Sequence, residues 1–243
     1  MPNTLLQICQ KFAGRQGLGL PASVAASSDP AVLQLKGLLE EFCDDLSTRK
    51  FWQATTIEAT FTTVAAEDQG AISTLFPLGF EGVVRDTMFD RTQSLNVVGG
   101  VSADEWQARK AHNFSGPMYR FRIRRNRLLM NPAPAAGHVI ALEYFSNYFI
   151  QGSDGSPPVT TYRRYFESDT DICLVDDALP IAYLRWAWKK DKGLDYAEDF
   201  TTYERLLASK ASKDARPQAV CLDSESHPAQ GPGIIISPGS WPL

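Results

Sequence analysis

Residues 179–208 read Leu179-Pro-Ile-Ala-Tyr-Leu-Arg-Trp-Ala-Trp-Lys-Lys-Asp-Lys-Gly193-Leu-Asp-Tyr-Ala-Glu-Asp-Phe-Thr-Thr-Tyr-Glu-Arg-Leu-Leu-Ala208. Pro180 is tolerated only within the first turn of a helix, Gly193 supplies a left-handed stop, and Asp195 offers an acceptor to a new N-terminus. The stretch is therefore a helical hairpin. Ile181, Leu184 and Trp188 on its first arm, and Tyr196, Phe200, Tyr203, Leu206 and Leu207 on its second, form apolar stripes that must be buried against something. Trp186 and Trp188 stand two residues apart and point to different sides, so one of them is expected to leave the bundle's own core, either for a subunit interface or to lie half exposed beside Lys189 or Lys192.

The cover for those stripes comes from the other end of the chain. Asn3 can cap a short helix with Leu5, Leu6, Cys9 and Phe12 on one side, stopped by Gly14 and Gly17. Asp29-Pro30 then gives a cap and a first-turn proline to a longer helix, in which Val32, Leu35, Leu38, Leu39, Phe42, Cys43 and Leu46 recur at helical spacing up to Arg49. Its other side, with Glu40, Glu41, Asp44 and Asp45, is expected to face water. Residues 1–49 and 176–213 are thus expected to form one helical bundle.

Residues 50–175 change period. Ile57, Ala59 and Phe61 alternate with Thr56, Glu58, Thr60 and Thr62, the pattern of a strand with one wet face. Val83-Val84 and Met88-Phe89 suggest short strands, and Ser102-Ala-Asp-Glu105 is a capping box opening a helix through Trp106. Tyr119, Phe121 and Ile123 alternate with Arg120, Arg122 and Arg124, and a turn at Arg125-Asn126 leads to a second strand through Leu128, Leu129 and Met130. A strand from His138 to Ile150, a loop at 152–158 and a last strand from Thr160 to Phe166 complete the insertion. The fold class is α+β: N- and C-terminal helices form a bundle, an antiparallel β-rich domain is inserted between them, and residues 214–243 form an extended C-terminal arm.

That arm contains Pro217, Pro228, Pro232, Pro238 and Pro242, which forbid a helix. Ile234, Ile235 and Ile236, with Trp241 beyond them, make a suitable anchor for a groove or sheet edge on another subunit. The whole chain, 243 residues with 44% hydrophobic content, is long enough for a substantial core, and its formal net charge of -4 gives no global attraction to nucleic acid. No apolar run reaches membrane-spanning length, and neither an export signal nor a membrane anchor is expected. Cys9, Cys43, Cys173 and Cys221 lie far apart without a C-x-x-C pair, the pattern of reduced thiols.

Catalytic constellations are missing from the sequence. His112, His138 and His227 fall in three regions without metal-ligand spacing, and no Gly-x-Ser-x-Gly elbow occurs. The acidic pairs Asp44-Asp45 and Asp176-Asp177 are explained by solvation and by the helix dipole. Neither an enzyme nor a cofactor is expected. Arg120, Arg122 and Arg124, with Arg125 and Arg127, read first as a solvated or salt-bridged strand face, and second as a surface for phosphate or for an acidic neighbouring subunit.

In their order, several parts resemble head-to-tail adaptor proteins of short-tailed bacteriophages, of the tail tubular protein A type. They are the helix ending at Arg49, Phe51-Trp52 ahead of Ile57-Glu58-Ala59, the Asp90-Arg91 pair, Tyr119-Arg-Phe-Arg-Ile123, Pro132-Ala-Pro-Ala-Ala-Gly137, and Gly193-Leu-Asp-Tyr-Ala-Glu198. The resemblance covers residues 1–213. It implies a virion structural protein without chemistry: a ring of twelve copies between portal protein and tail nozzle protein, with viral DNA passing through. It further implies that the bundle packs side by side in the ring, that the β-rich insertion faces the nozzle, and that the arm with Ile234, Ile235, Ile236 and Trp241 docks on the portal. The rival expectation is a tail-associated carbohydrate or receptor binding module, with Tyr144, Tyr148 and Tyr162 lining its site.

Overall fold

The computed structural model describes residues 2–112, 118–154 and 159–214. Helices run over Leu5–Gln16 (α1), Pro30–Arg49 (α2), Ile72–Leu75 (α3), Ala103–Ala111 (α4), Ala178–Asp191 (α5) and Ala197–Asp214 (α6). Strands run over Thr56–Thr62 (β1), Asp68–Ala71 (β2), Phe80–Val83 (β3), Phe89–Asp90 (β4), Leu95–Asn96 (β5), Val98–Gly99 (β6), Arg120–Arg124 (β7), Arg127–Asn131 (β8), Val139–Ser146 (β9), Ile150–Asp154 (β10), Val159–Arg163 (β11) and Ile172–Cys173 (β12). The mixed α+β class read from the sequence is the class observed. The arm expected over 214–243 lies, apart from Asp214, outside the described residues.

α1, α2, α5 and α6 form an up-down-up-down bundle whose directions follow from named contacts. Asn3 meets Asp177 at one end and Phe12 meets Trp188 farther along, so α1 and α5 run parallel. Gln34 at the start of α2 reaches Asp191 at the end of α5, so these two are antiparallel. Arg49 pairs with Glu204 and Lys50 with Asp214, setting α6 parallel to α2. All seven predicted apolar positions of α2 are buried, and its Asp29 cap accepts the N–H of Ala31 at 2.8 Å behind Pro30.

The first helix differs from its reading. Thr4, not Asn3, is the N-cap, closing a capping box with Gln7, while Asn3 binds Asp177 and Lys11 instead. Gly14 lies inside the helix, and Gly17 ends it at φ 68°. Ile8 is fully buried, whereas Leu6, assigned to the stripe, is only partly covered.

Three sheets lie between the helical ends. One has five strands, with β1, β9, β4 and β5 in order and β3 pairing β9 beside β4. A second orders β2, β8, β7 and β6, and a third orders β11, β10 and β12. The pairings are antiparallel except β6 with β7, which is parallel. The first two sheets enclose a core of Phe61, Phe76, Phe121, Leu128, Met130, Ile140, Leu142 and Tyr144. The third belongs to the bundle's core, since Phe149, Ile150, Phe166, Cys173 and Val175 pack with the helices. The expected strand through His138–Ile150 is interrupted at 147–149, and residues 152–154, expected in a loop, continue β10.

Candidate functional site

The arginine hairpin forms where predicted. Arg125 and Asn126 both adopt left-handed backbone, φ 50° and 55°, the signature of a two-residue type I′ turn that suits the twist of its strands. Phe121 points into the core between the sheets, while Arg120, Arg122 and Arg124 fall on the alternate face. That face carries Leu129 opposite Arg122, and Leu129 packs beneath the fully buried Trp106 of α4. Arg127 holds Asp68. Among the described residues, Arg120, Arg122, Arg124 and Arg125 have no carboxylate within ion-pairing distance; Asp104 and Asp68 act on Arg122 and Arg124 only at longer range. Arg124 also stands directly opposite Arg127. Arg127 is thus salt-bridged, Arg124 and Arg125 are exposed to water, and Arg120 and Arg122 are half-buried.

The two tryptophans behave differently from expectation. Trp188 is buried and meets Phe12 edge-on at 5.8 Å, with the Lys192 ammonium over its ring. Trp186, on the other side of α5, is half-buried among Tyr183, Phe200 and Tyr203 at 5.0, 5.2 and 6.1 Å. Because α5 is flanked by α1, α2 and α6, both sides of it find partners within the chain. The premise that one indole must leave the bundle is thereby corrected, and Trp188 has little surface left for another subunit. What stays uncovered is the outer rim of the Trp186 cluster. Tyr196 is 40% and Phe200 37% exposed, although both were read as stripe residues to be buried, and Leu194 is 56% exposed. The turn explains Leu194: Gly193 and Leu194 donate back to Lys190 and Lys189 in a Schellman motif. The residue that an apolar Leu194 would usually touch there is Lys189, which is engaged with Asp199.

The acidic side of α2 is busier than expected. Asp44 accepts from Arg164 and from the Tyr165 hydroxyl, and Asp45 pairs with Arg49 and accepts the Tyr203 hydroxyl at 2.7 Å. These carboxylates hold α2 to α6 and to the segment after β11; apart from Arg49, four residues from Asp45, their partners lie more than a hundred residues away, where no local pattern points to them.

Two of the clefts among the described residues bear on the expected binding surfaces. One of about 600 Å³ runs between Val83–Met88 and Val97–Val101, floored by Phe121 and edged by Arg85, Asp86 and Arg122. A second of about 320 Å³ brings Tyr148 and Tyr162 together with Glu58 and Leu174. Tyr144, the third tyrosine expected there, is 1% exposed inside the sandwich core and lines neither cleft.

Two fully buried carboxylates, Asp90 and Asp171, are tied into local structure. The Asp90 carboxylate meets His138 Nδ1 at 2.8 Å and accepts the N–H groups of Thr92 and Gln93, fixing the β4–β5 turn against the start of β9. Asp171 pairs with Arg163 and accepts the N–H groups of Glu167 and Ser168. Cys9, Cys43 and Cys173 are free and buried, and burial pushes the Cys9 and Cys173 thiols up to about 12 and Cys43 well above its ordinary value. Such thiols are poor nucleophiles and poor metal ligands. Among the described residues no cluster of His, Cys, Asp and Glu is arranged to hold a metal ion, and no helix is long and apolar enough to cross a membrane. Ile234, Ile235, Ile236, Trp241, Cys221 and His227 lie outside the described residues.

No protein-family model matches the chain, and no curated protein matches it either. The functional reading therefore rests on the residues and their geometry.

Proposed function

We propose that the chain is a head-to-tail adaptor of a short-tailed bacteriophage, a virion structural protein made in the host cytoplasm and carried in the tail connector. It would form a ring of twelve copies between portal and nozzle, and the genome would pass through it without sequence recognition. It needs no cofactor and carries out no reaction. The observation that carries the reading is the order of parts, which pairs a bundle built from both chain ends with an inserted β region and a long proline-rich continuation past α6. Two features support it: apolar rings left uncovered at one end of the bundle, and a strand of arginines without carboxylate partners. The first leaves apolar surface in water, and the second leaves guanidinium groups free to meet an acidic neighbour or phosphate. On this reading Ile234, Ile235, Ile236 and Trp241 anchor the arm to the portal, and Arg120, Arg122 and Arg124 face a neighbouring copy or the channel.

Light scattering of the chain mixed with its cognate portal is expected to show a complex carrying a ring of subunits, and removal of residues 215–243 is expected to weaken attachment. A chain that stays unbound beside the portal sinks the proposal. The second reading, a carbohydrate or receptor binding module, is favoured by the cleft in which Tyr148 and Tyr162 converge. Titration with glycans should then perturb those two rings and leave the portal untouched.

A further inference from the structure

β1 stands at the edge of its sheet, with β9 on one side and no strand on the other. Its register with β9 is unbroken from Thr56 opposite Phe145 to Thr62 opposite Val139. Arg91 and Val84 donate to the Val139 and Glu143 carbonyls from the far side of β9, so Ile140, Leu142 and Tyr144 are the residues of β9 that bond to β1. Their partners are Phe61, Ala59 and Ile57. The main-chain N–H and C=O groups of Glu58, Thr60 and Thr62 therefore point away from the sheet. All three residues are exposed, and among the described residues none of these outward groups has a hydrogen-bond partner.

An open edge of this kind is a template for another strand, and proteins blunt such edges with short strands, bulges, prolines or charge. The other edges of the two sandwich sheets are blunted in that way. β5 and β6 have two residues each, β2 is bulged between Asp68 and Gly70, and β3 between Phe80 and Gly82. β1 has seven residues, no bulge, no proline and no lysine or arginine. Its one charged side chain, Glu58, is held by Arg91.

The edge is also complementary to itself. A two-fold axis at Thr60 sets Thr60 opposite Thr60 of a second copy and Glu58 opposite Thr62, so each outward N–H meets an outward carbonyl. On the exposed face threonine then meets threonine and no like charges are opposed. On the other face the small Ala59 stands opposite Phe61 of the second copy.

We propose that two copies of the chain pair through β1, antiparallel about Thr60, so that their five-stranded sheets run on as one. The contact is isologous and closes on itself. It is separate from the ring contacts of the adaptor reading and does not rest on that reading.

Sedimentation equilibrium of the full chain should show monomers in exchange with dimers. Thr60→Pro removes an N–H that β9 does not use and should raise the dimer dissociation constant about tenfold or more. Thr60→Lys sets a charge opposite itself and should do the same; it decides the matter if the proline variant loses its thermal unfolding transition. Cysteine pairing reads the register. In a Cys221→Ser background, where Cys9, Cys43 and Cys173 are buried, Thr60→Cys should oxidise to a covalent dimer under copper phenanthroline. Thr56→Cys, far out of register with its counterpart, should not. In hydrogen exchange the amides of Glu58, Thr60 and Thr62 should be protected at high chain concentration and lose that protection on dilution. A chain that stays monomeric, a dimer that Thr60→Lys leaves intact, or cross-linking at position 56 in place of 60 overturns the proposal. Edge amides protected in a monomer overturn it as well, because the chain's own residues would then cover β1.

Discussion

Tyr203 shows what one hydroxyl does for this bundle. Burial and then its hydrogen bond to Asp45 raise its ionisation well above the ordinary tyrosine range, and burial does the same for Tyr183. A phenol with a raised folded value stabilises the fold fully below the unfolded value of about 10, and that contribution is lost as pH rises through the folded value. Unfolding free energy measured by denaturant should therefore fall above pH about 10, with a shallower fall in Tyr203→Phe. At neutral pH the same variant should cost about 1 kcal/mol, since Asp45 keeps Arg49 as partner. A different constraint acts at Gly99, where a Cβ would stand 1.5 Å from the Phe121 ring. Gly99→Val should destabilise by about 2 kcal/mol through overpacking and move the thermal midpoint down; at Gly19, where a Cβ meets nothing within 4 Å, alanine should be silent.

At the level of elements, α2 was legible throughout. Its cap, its proline and its stripe all act within a few residues, and burial follows them. The β7–β8 hairpin was legible for the same reason: the alternation and the Arg125-Asn126 turn are local. β4, β5, β6 and β12 have two residues each, too few to show a period; β4, β6 and β12 exist because strands farther along the chain supply their partners, and β5 closes a turn onto β4. The tryptophan pair was misjudged because the sequence shows that two sides of α5 are apolar but not that three helices surround it. The uncovered rim at Leu194, Tyr196 and Phe200 was equally out of sight; Lys189 at the Schellman position was the one available signal. Arg124 permits a test at this scale. It faces Arg127 across the hairpin, so Arg124→Thr should stabilise the fold by about 0.5 kcal/mol through relief of like charge and better strand propensity. A gain in chemical denaturation would mean that arginine serves something other than the fold; a loss would return it to a structural role.

For the molecule as a whole, the bundle and the sandwich keep separate cores, and the join between them is specific. Trp52 is buried in the bundle's core, donates from Nε1 to the Leu46 carbonyl and lies under the Lys50 ammonium. One residue earlier, Phe51 stacks on Phe145 of β9 at 5.0 Å. Asp214 closes the join, accepting the N–H groups of Gln53 and Ala54 while pairing with Lys50. Asp214→Ala should cost about 1–2 kcal/mol, by loss of what amounts to a capping carboxylate, and should raise amide exchange at 53–54 before it affects the far end of the bundle.

That clamp also sets how the subunit bears tension. The last residue of α6 is fastened beside the start of β1, so a pull on whatever follows Asp214 enters at the seam and not at a fraying helix end. Directed along α6, it is met in shear by α2 and α5 together, with side-chain contacts along the helix length resisting at once. Pulled sideways, the same helix would peel one turn at a time. A tether anchored in this way is strong along one axis and weak across it, so a single-molecule stretching measurement should find rupture forces that depend on direction far more than on the chain's overall stability.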